Sequence, residues 1–212
     1  MSVFDGPNVI TNGLVLELDA ANPKSYSGSG TTIFDLSGNR NHGTLVNGVG
    51  FNTNNGGILT FDGVDDYVTV SLNLQNTTYS IMGIARYTGV TSQRVISSNS
   101  GNWLMGWWAG RTNQYYAEAW VNNPAGTAET SWICYMATGN QPGDSWALYR
   151  NGNLIAGPNT NGSNGPNGIR LGGSILGEYS TCQVGCVLAY NRVLTDDEIQ
   201  QNFNALRGRY GL

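Results

Sequence analysis

The sequence predicts an all-β sandwich of two antiparallel sheets closed by one short C-terminal helix, on three observations. Short alternating or apolar segments recur about every 8–12 residues, each bounded by Gly, Asn, Ser or Pro, which is the rhythm of a sandwich rather than of a parallel α/β sheet. Of 212 residues, 30 are glycine and only 11% are charged, a balance that suits many turns and few solvated helices. Only the segment after Leu194 carries helix-start chemistry. The length fits a single domain with a real core, read as an arm over residues 1–12 and a domain over 13–212.

The elements follow in order. Residues 14–19 alternate strictly, with Leu14, Leu16 and Leu18 on one face and Val15, Glu17 and Asp19 on the other, which predicts a half-buried strand. A Gly/Ser loop over 20–30 leads to two short strands at 57–62 and 67–71, preceded by the loops 35–43 and 62–66, where Asp, Asn, Ser and Gly crowd together. Residues 78–87 alternate again, and strands are expected over 93–98, 102–108, 114–121 and 131–138. Residues 145–150 turn at Asn151-Gly152, a pair that tolerates the positive φ of a type I′ hairpin turn. A short strand at 169–172 and a long one at 181–190 follow. Thr195 with Glu198 three residues on forms a capping box, Ile199, Phe203 and Leu206 make an inward stripe, and the helix is expected to plug one end of the sandwich.

Composition excludes several functions. A net charge of −4 and scattered arginines give no footprint for nucleic acid. The first residues lack a basic start and a long apolar run, so no secretory signal is expected, and no stretch approaches the ~20 apolar residues of a membrane span. Cys134, Cys182 and Cys186 are expected to be free buried thiols, because Cys182 and Cys186 lie ~13 Å apart along one strand, beyond disulfide reach.

Several words in the chain resemble the laminin-G-like branch of the concanavalin A-like lectin/glucanase superfamily. They are Asp35-Leu36-Ser37-Gly38-Asn39 with His42-Gly43, Leu59-Thr60-Phe61-Asp62-Gly63 with Asp65-Asp66-Tyr67-Val68, Leu148-Tyr149-Arg150-Asn151-Gly152, and Val187-Leu188-Ala189-Tyr190-Asn191-Arg192 before the helix. The resemblance implies a concanavalin A-like jelly roll. The stretch from Gly13 to Asn39 is similar to laminin-G-like domains in structural proteins of tailed bacteriophages.

The resemblance also implies that the two Asp-rich loops meet at one rim, where related domains often hold calcium. Asp35, Asn39, Asp62, Asp65 and Asp66 form the constellation, with Asp35, Asn39, Asp62 and Asp65 as the candidate ligands, since calcium takes carboxylate and carbonyl oxygens. The alternative is that these side chains only brace turns through their own backbone. The aromatic cluster Trp103, Trp107, Trp108, Tyr115, Tyr116, Trp120 and Trp132 is the second candidate, with Trp107, Trp108, Tyr115 and Tyr116 as the sugar-binding rings, because flat faces with polar edges suit pyranoses. Neighbouring strand residues point to opposite faces, so at least one of each pair is expected in the core.

Catalysis is not expected. Retaining hydrolysis needs two carboxyls ~5 Å apart, and Glu17-Leu18-Asp19 is followed by no second glutamate, while Glu118, Glu129 and Glu178 stand alone in sequence. The resulting expectation is a non-enzymatic virion protein of a tailed phage, a head decoration or tail-associated adhesin. It would be made in the host cytoplasm, partnered by capsid or tail proteins and by glycans, and open to homo-oligomerisation. The arm over 2–11 would dock on a neighbour. The alternatives are an extracellular calcium-dependent lectin and a degenerate glycosidase.

Overall fold

The computed structural model describes residues 6–212. Sixteen strands, β1 to β16 in chain order, form two antiparallel sheets of eight strands each. The first sheet runs β14 (Asn153–Asn159), β13 (Ser145–Arg150), β12 (Ile133–Asn140), β7 (Thr78–Tyr87), β16 (Thr181–Tyr190), β5 (Ile58–Asp62) and β4 (Gly50–Asn52), with β1 (Leu14–Asp19) also paired to β16. The second runs β11 (Trp120–Asn122), β10 (Arg111–Ala117), β9 (Trp103–Trp108), β8 (Ile96–Ser97), β15 (Asn167–Leu171), β6 (Tyr67–Asn73), β3 (Gly43–Val46) and β2 (Thr32–Ile33). The predicted all-β sandwich is therefore the fold.

Alternation within the strands sorts their side chains into two apolar layers. Tyr79, Ile81, Ala85 and Tyr87 of β7, Tyr135 and Ala137 of β12, and Val187 and Ala189 of β16 enter the layer between the sheets. Their neighbours Met82, Ile84, Cys134, Met136, Cys186, Leu188 and Tyr190 form a separate layer on the outside of the first sheet. That outer layer is covered by the helix α1 (Asp196–Leu206) through Ile199, Phe203 and Leu206, together with Trp132, Tyr210 and Leu194. The helix thus lies over a sheet face instead of plugging one end of the sandwich. Both faces of β7, β12 and β16 needed an apolar cover, and the helix is the amphipathic element that supplies it.

Local chemistry explains the boundaries. Thr195 accepts from the Glu198 backbone N–H while the Glu198 carboxylate accepts from the Thr195 N–H at 3.0 Å, so the capping box starts the helix as expected. Asn151 (φ 49°) and Gly152 (φ 80°) both take positive φ, as a type I′ turn requires between β13 and β14. The expected single strand over 114–121 is instead two, because Glu118 takes φ 56° and folds β11 back on β10 with Trp120 opposite Tyr116. All three cysteines are buried and free, and burial pushes each thiol well above its ordinary value.

Residues 6–12 of the arm lie along this chain's own helix. Ile10 N–H donates to Asn202 Oδ1 at 2.8 Å, Gln201 Nε2 donates to Asn8 O at 2.8 Å, and Val9 and Ile10 pack on the outer apolar layer. Residues 2–5 of the expected docking arm lie outside the described residues.

Candidate functional site

The second sheet's outer face carries no such apolar layer, and its side chains can be read off the ladder register. One row crosses all eight strands: Thr32, Thr44, Thr69, Arg170, Ser97, Leu104, Tyr116 and Trp120, each opposite the next. A neighbouring position on the same face brings Trp108 opposite Arg111. Trp108, Tyr116 and Trp120 are half-buried, and their rings form one group. Trp120 lies 5.2 Å from Trp108, tilted by 47°, and 4.9 Å from Tyr116, nearly edge-on at 76°. Such clusters gain from their quadrupoles beyond the area they bury, and they leave amphipathic faces for a partner.

The floor beside these rings is rigid and charged. The loop after β15 folds back over the sheet, with Ser97 Oγ donating to Gly173 O at 2.5 Å. It delivers Glu178, whose Oε1 accepts from the Trp108 indole N–H at 3.0 Å and whose Oε2 accepts from Ser174 Oγ at 3.2 Å. Arg94, only 5% exposed, places Nε 2.5 Å from Glu178 Oε2. Burial lowers the Arg94 guanidinium from its ordinary value, and Glu178 and Glu118 act against that shift. Arg111 lies over the Trp108 ring with its guanidinium carbon 5.0 Å from the centroid. Glu118 Oε1 accepts from the Asn102 N–H at 2.7 Å and so is also held in place. The arrangement offers aromatic faces for a sugar ring, with oriented donors and acceptors for its hydroxyls.

The structure divides the four candidate rings. Trp108 and Tyr116 reach this outer face. Trp107 and Tyr115 point the other way and are fully buried between the sheets. Tyr115 shares a buried network in which its hydroxyl lies 2.7 Å from that of Tyr79 and donates to Thr138 O at 3.1 Å, while Trp103 Nε1 donates to Tyr79 at 3.0 Å. Trp107 packs nearly edge-on against Tyr135 at 4.7 Å. Neither ring is available to a ligand. Trp120, a member of the expected aromatic cluster, completes the outer group; Arg94, Arg111 and Glu178 were not among the expected site residues.

The candidate metal ligands are divided as well. Asp35 is buried and its carboxylate accepts four hydrogen bonds, from the N–H groups of Glu17, Ser37 and Asn41 and from Ser37 Oγ, all at 2.8–2.9 Å. Asn39 donates to Leu14 O, and His42 Nδ1 accepts from the Asp35 N–H. That loop is a brace between β1 and β3. Asp62 and Asp65 sit elsewhere: β3 and β6 are antiparallel, with Gly43 opposite Val70 and Val46 opposite Tyr67, so the loops that enter these strands lie at opposite ends of the ladder, at least ~10 Å apart. Asp62 and Asp65 instead meet Asp66, with one carboxylate oxygen from each within 4.8 Å of the others. Asp66 is raised by burial, against the Asp62 N–H it accepts from, with Asp62 and Asp65 raising it further. Like charges held together suit a hard cation.

No protein-family model matches the chain, and no curated protein is similar to it. Solved structures are. Trypanosoma rangeli sialidase in complex with 2,3-difluorosialic acid aligns at TM-score 0.68 and 18% identity over 94% of this chain and 34% of the sialidase. The botulinum neurotoxin serotype D ligand binding domain in complex with N-acetylneuraminic acid aligns at 0.65 and 15% over 92% of this chain and 51% of that one. The binding domain of Paraclostridial Mosquitocidal Protein 1 aligns at 0.64 and 16%, over 92% and 52%. At these identities the likeness is one of fold, and the chain spans about a third of the sialidase's length. The expectation that catalysis is excluded is corrected by the first of these. The same architecture occurs in a solved glycosidase chain, so the missing glutamate pair on one strand does not set this protein apart from glycosidases.

Proposed function

We propose that this chain is a glycan-binding module and that the sugar sits on Trp108, Tyr116 and Trp120. The observation that carries the reading is the placement of three half-buried, mutually packed rings on the outer face instead of in the core, with Trp108 held by Glu178 beside Arg94. Similarity to a toxin domain solved with N-acetylneuraminic acid supports it at the level of fold. The test is a glycan array followed by titration of the hits. Trp120→Ala should lower affinity about tenfold or more with little change in melting temperature, since the ring lies outside both apolar layers. Wild-type affinity in that variant would refute the assignment.

A second reading, glycoside cleavage on the same floor, is favoured by Glu178, a carboxylate held beside Arg94 and the Trp108 ring. Sugar release that Glu178→Gln abolishes would establish it.

In the finer reading, the module belongs to a tailed-phage particle, made in the host cytoplasm and displayed on head or tail. It rests on the resemblance of residues 13–39, and cryo-electron microscopy of particles from a chain-deleted phage tests it. Calcium is carried into the proposal as a structural ion on Asp62, Asp65 and Asp66.

A further inference from the structure

Across the Gly173 crossing from the aromatic group, the same outer row continues through Arg170, Thr69, Thr44 and Thr32. Arg170 lies flat on Tyr67, with its guanidinium carbon 3.8 Å from the ring centroid. The side chain is half-buried, its Nε is shielded from water without an acceptor, and no carboxylate pairs with it among the described residues. The missing carboxylate sets it apart from Arg94, Arg150, Arg192 and Arg209, each of which has an acidic partner. A stacked arginine is already confined to one plane, so little side-chain freedom is left to lose when its fork meets a planar anion. Thr69 and Thr44 follow along the row at ~4.8 Å per strand, and their hydroxyls can donate to an anion or meet the sugar hydroxyls around it.

We infer that Arg170 on Tyr67, with Thr69 and Thr44, is an anion subsite that takes the carboxylate of an acidic sugar, so that the preferred ligands of this face are glycans containing sialic or uronic acid. The subsite rests on the glycan-binding reading. It stands three strand spacings, ~14 Å, from Tyr116, so one monosaccharide cannot occupy both places. The carboxylate forms two parallel hydrogen bonds with the guanidinium, a geometry that a lysine cannot reproduce.

The test compares N-acetylneuraminyl-lactose and a galacturonate trimer with their carboxyl-reduced neutral forms, by calorimetric titration at low salt. The wild-type chain is expected to bind at least one acidic form about tenfold or more tightly than its neutral counterpart, a preference that weakens as salt is added. Arg170→Met, which keeps the apolar stem on Tyr67, should abolish that preference and leave affinity for the neutral form unchanged. Arg170→Lys, which keeps the charge, should retain only part of the preference and guards against a folding defect in the first variant. Equal binding of acidic and neutral forms by the wild type, or an unchanged preference in Arg170→Met, overturns the subsite while the glycan reading stands. Failure of the wild type to bind any sugar on an array overturns the glycan reading itself.

Discussion

Glu178→Gln tests the floor of the site most directly. The Arg94 side chain is 6% exposed and that of Glu178 25%, with Nε and Oε2 2.5 Å apart. Glutamine keeps an acceptor for the Trp108 indole N–H, so the ring keeps its partner. It sets a neutral group beside a buried guanidinium, however, and its amide can oppose donor to donor. Removing one member of a buried pair costs about 3–5 kcal/mol, because the other charge is left without compensation. The partial exposure of Glu178 lets water recover some of this, which leaves about 2 kcal/mol. For a chain of this size that corresponds to a fall in melting temperature of about 4–8 °C, measurable by calorimetry or circular dichroism. A double variant, Arg94→Met with Glu178→Leu, should regain most of the loss, since apolar groups of similar volume replace a buried pair at little cost. A fall below about 2 °C in Glu178→Gln, or a double variant less stable than the single, would refute the view that the pair locks this face.

Three further outcomes are expected. Asp35→Ala should lose about 2–4 kcal/mol in denaturant unfolding, equally with calcium and with chelator, because three backbone N–H groups and one hydroxyl lose a charged acceptor. Calcium in millimolar excess should raise the melting temperature of the wild-type chain and leave Asp65→Asn unmoved; a response that persists in the variant would place the ion elsewhere. The Arg192 guanidinium, helped by the Thr195 backbone N–H, holds the Glu198 carboxyl at about 2 against an ordinary 4.5. A depressed folded-state value contributes stability above the unfolded value and loses it as pH falls. The difference between wild type and Glu198→Gln should therefore be constant above about 4.5 and shrink toward about 2, and a pH-independent difference would contradict the pairing.

The sequence carried the sandwich because alternation, turn residues and the capping box are local signals, and the Asn151-Gly152 turn and the Thr195 cap take the conformations their chemistry demands. It also carried the rule that Trp107 and Trp108, or Tyr115 and Tyr116, must part company across a strand. It did not say which member of each pair faces out, because both members are aromatic and β9 is buried at consecutive positions from Trp103 to Trp107, so alternation cannot separate the core row from the outer one. The position of Trp120 across from Tyr116 was hidden by reading residues 114–121 as one strand; an acidic residue in a left-handed turn has no strong local signature, and Glu118 supplies the turn. Arg94 and Glu178 are 84 positions apart in sequence, and only the folding of the loop after β15 over β8 brings them together. Asp35 was grouped with Asp62 because the family resemblance implied that their loops share one rim. The antiparallel register of β3 and β6 separates them, which one-dimensional spacing does not reveal.

The two sheets divide their labour by what covers them. Met82, Ile84, Met136 and Leu188 oblige the first sheet to bury its outer face, and the helix, the Tyr210 segment and residues 9–10 do so. The corresponding outer row of the second sheet carries Thr32, Thr44, Thr69, Arg170, Tyr116 and Trp120, which keep contact with water on either side of the covered Ser97 and Leu104. The loop that delivers Glu178 buries Arg94 and fastens Trp108 without hiding its ring. A face that is rigid, amphipathic and left open is what a hydroxyl-rich ligand requires. A sugar has too little apolar surface to drive its own burial, so it gains most from rings and donors already held in position. By that argument the ligand belongs on the second sheet, and substitutions that loosen the Arg94–Glu178 lock should weaken binding even where they touch no sugar.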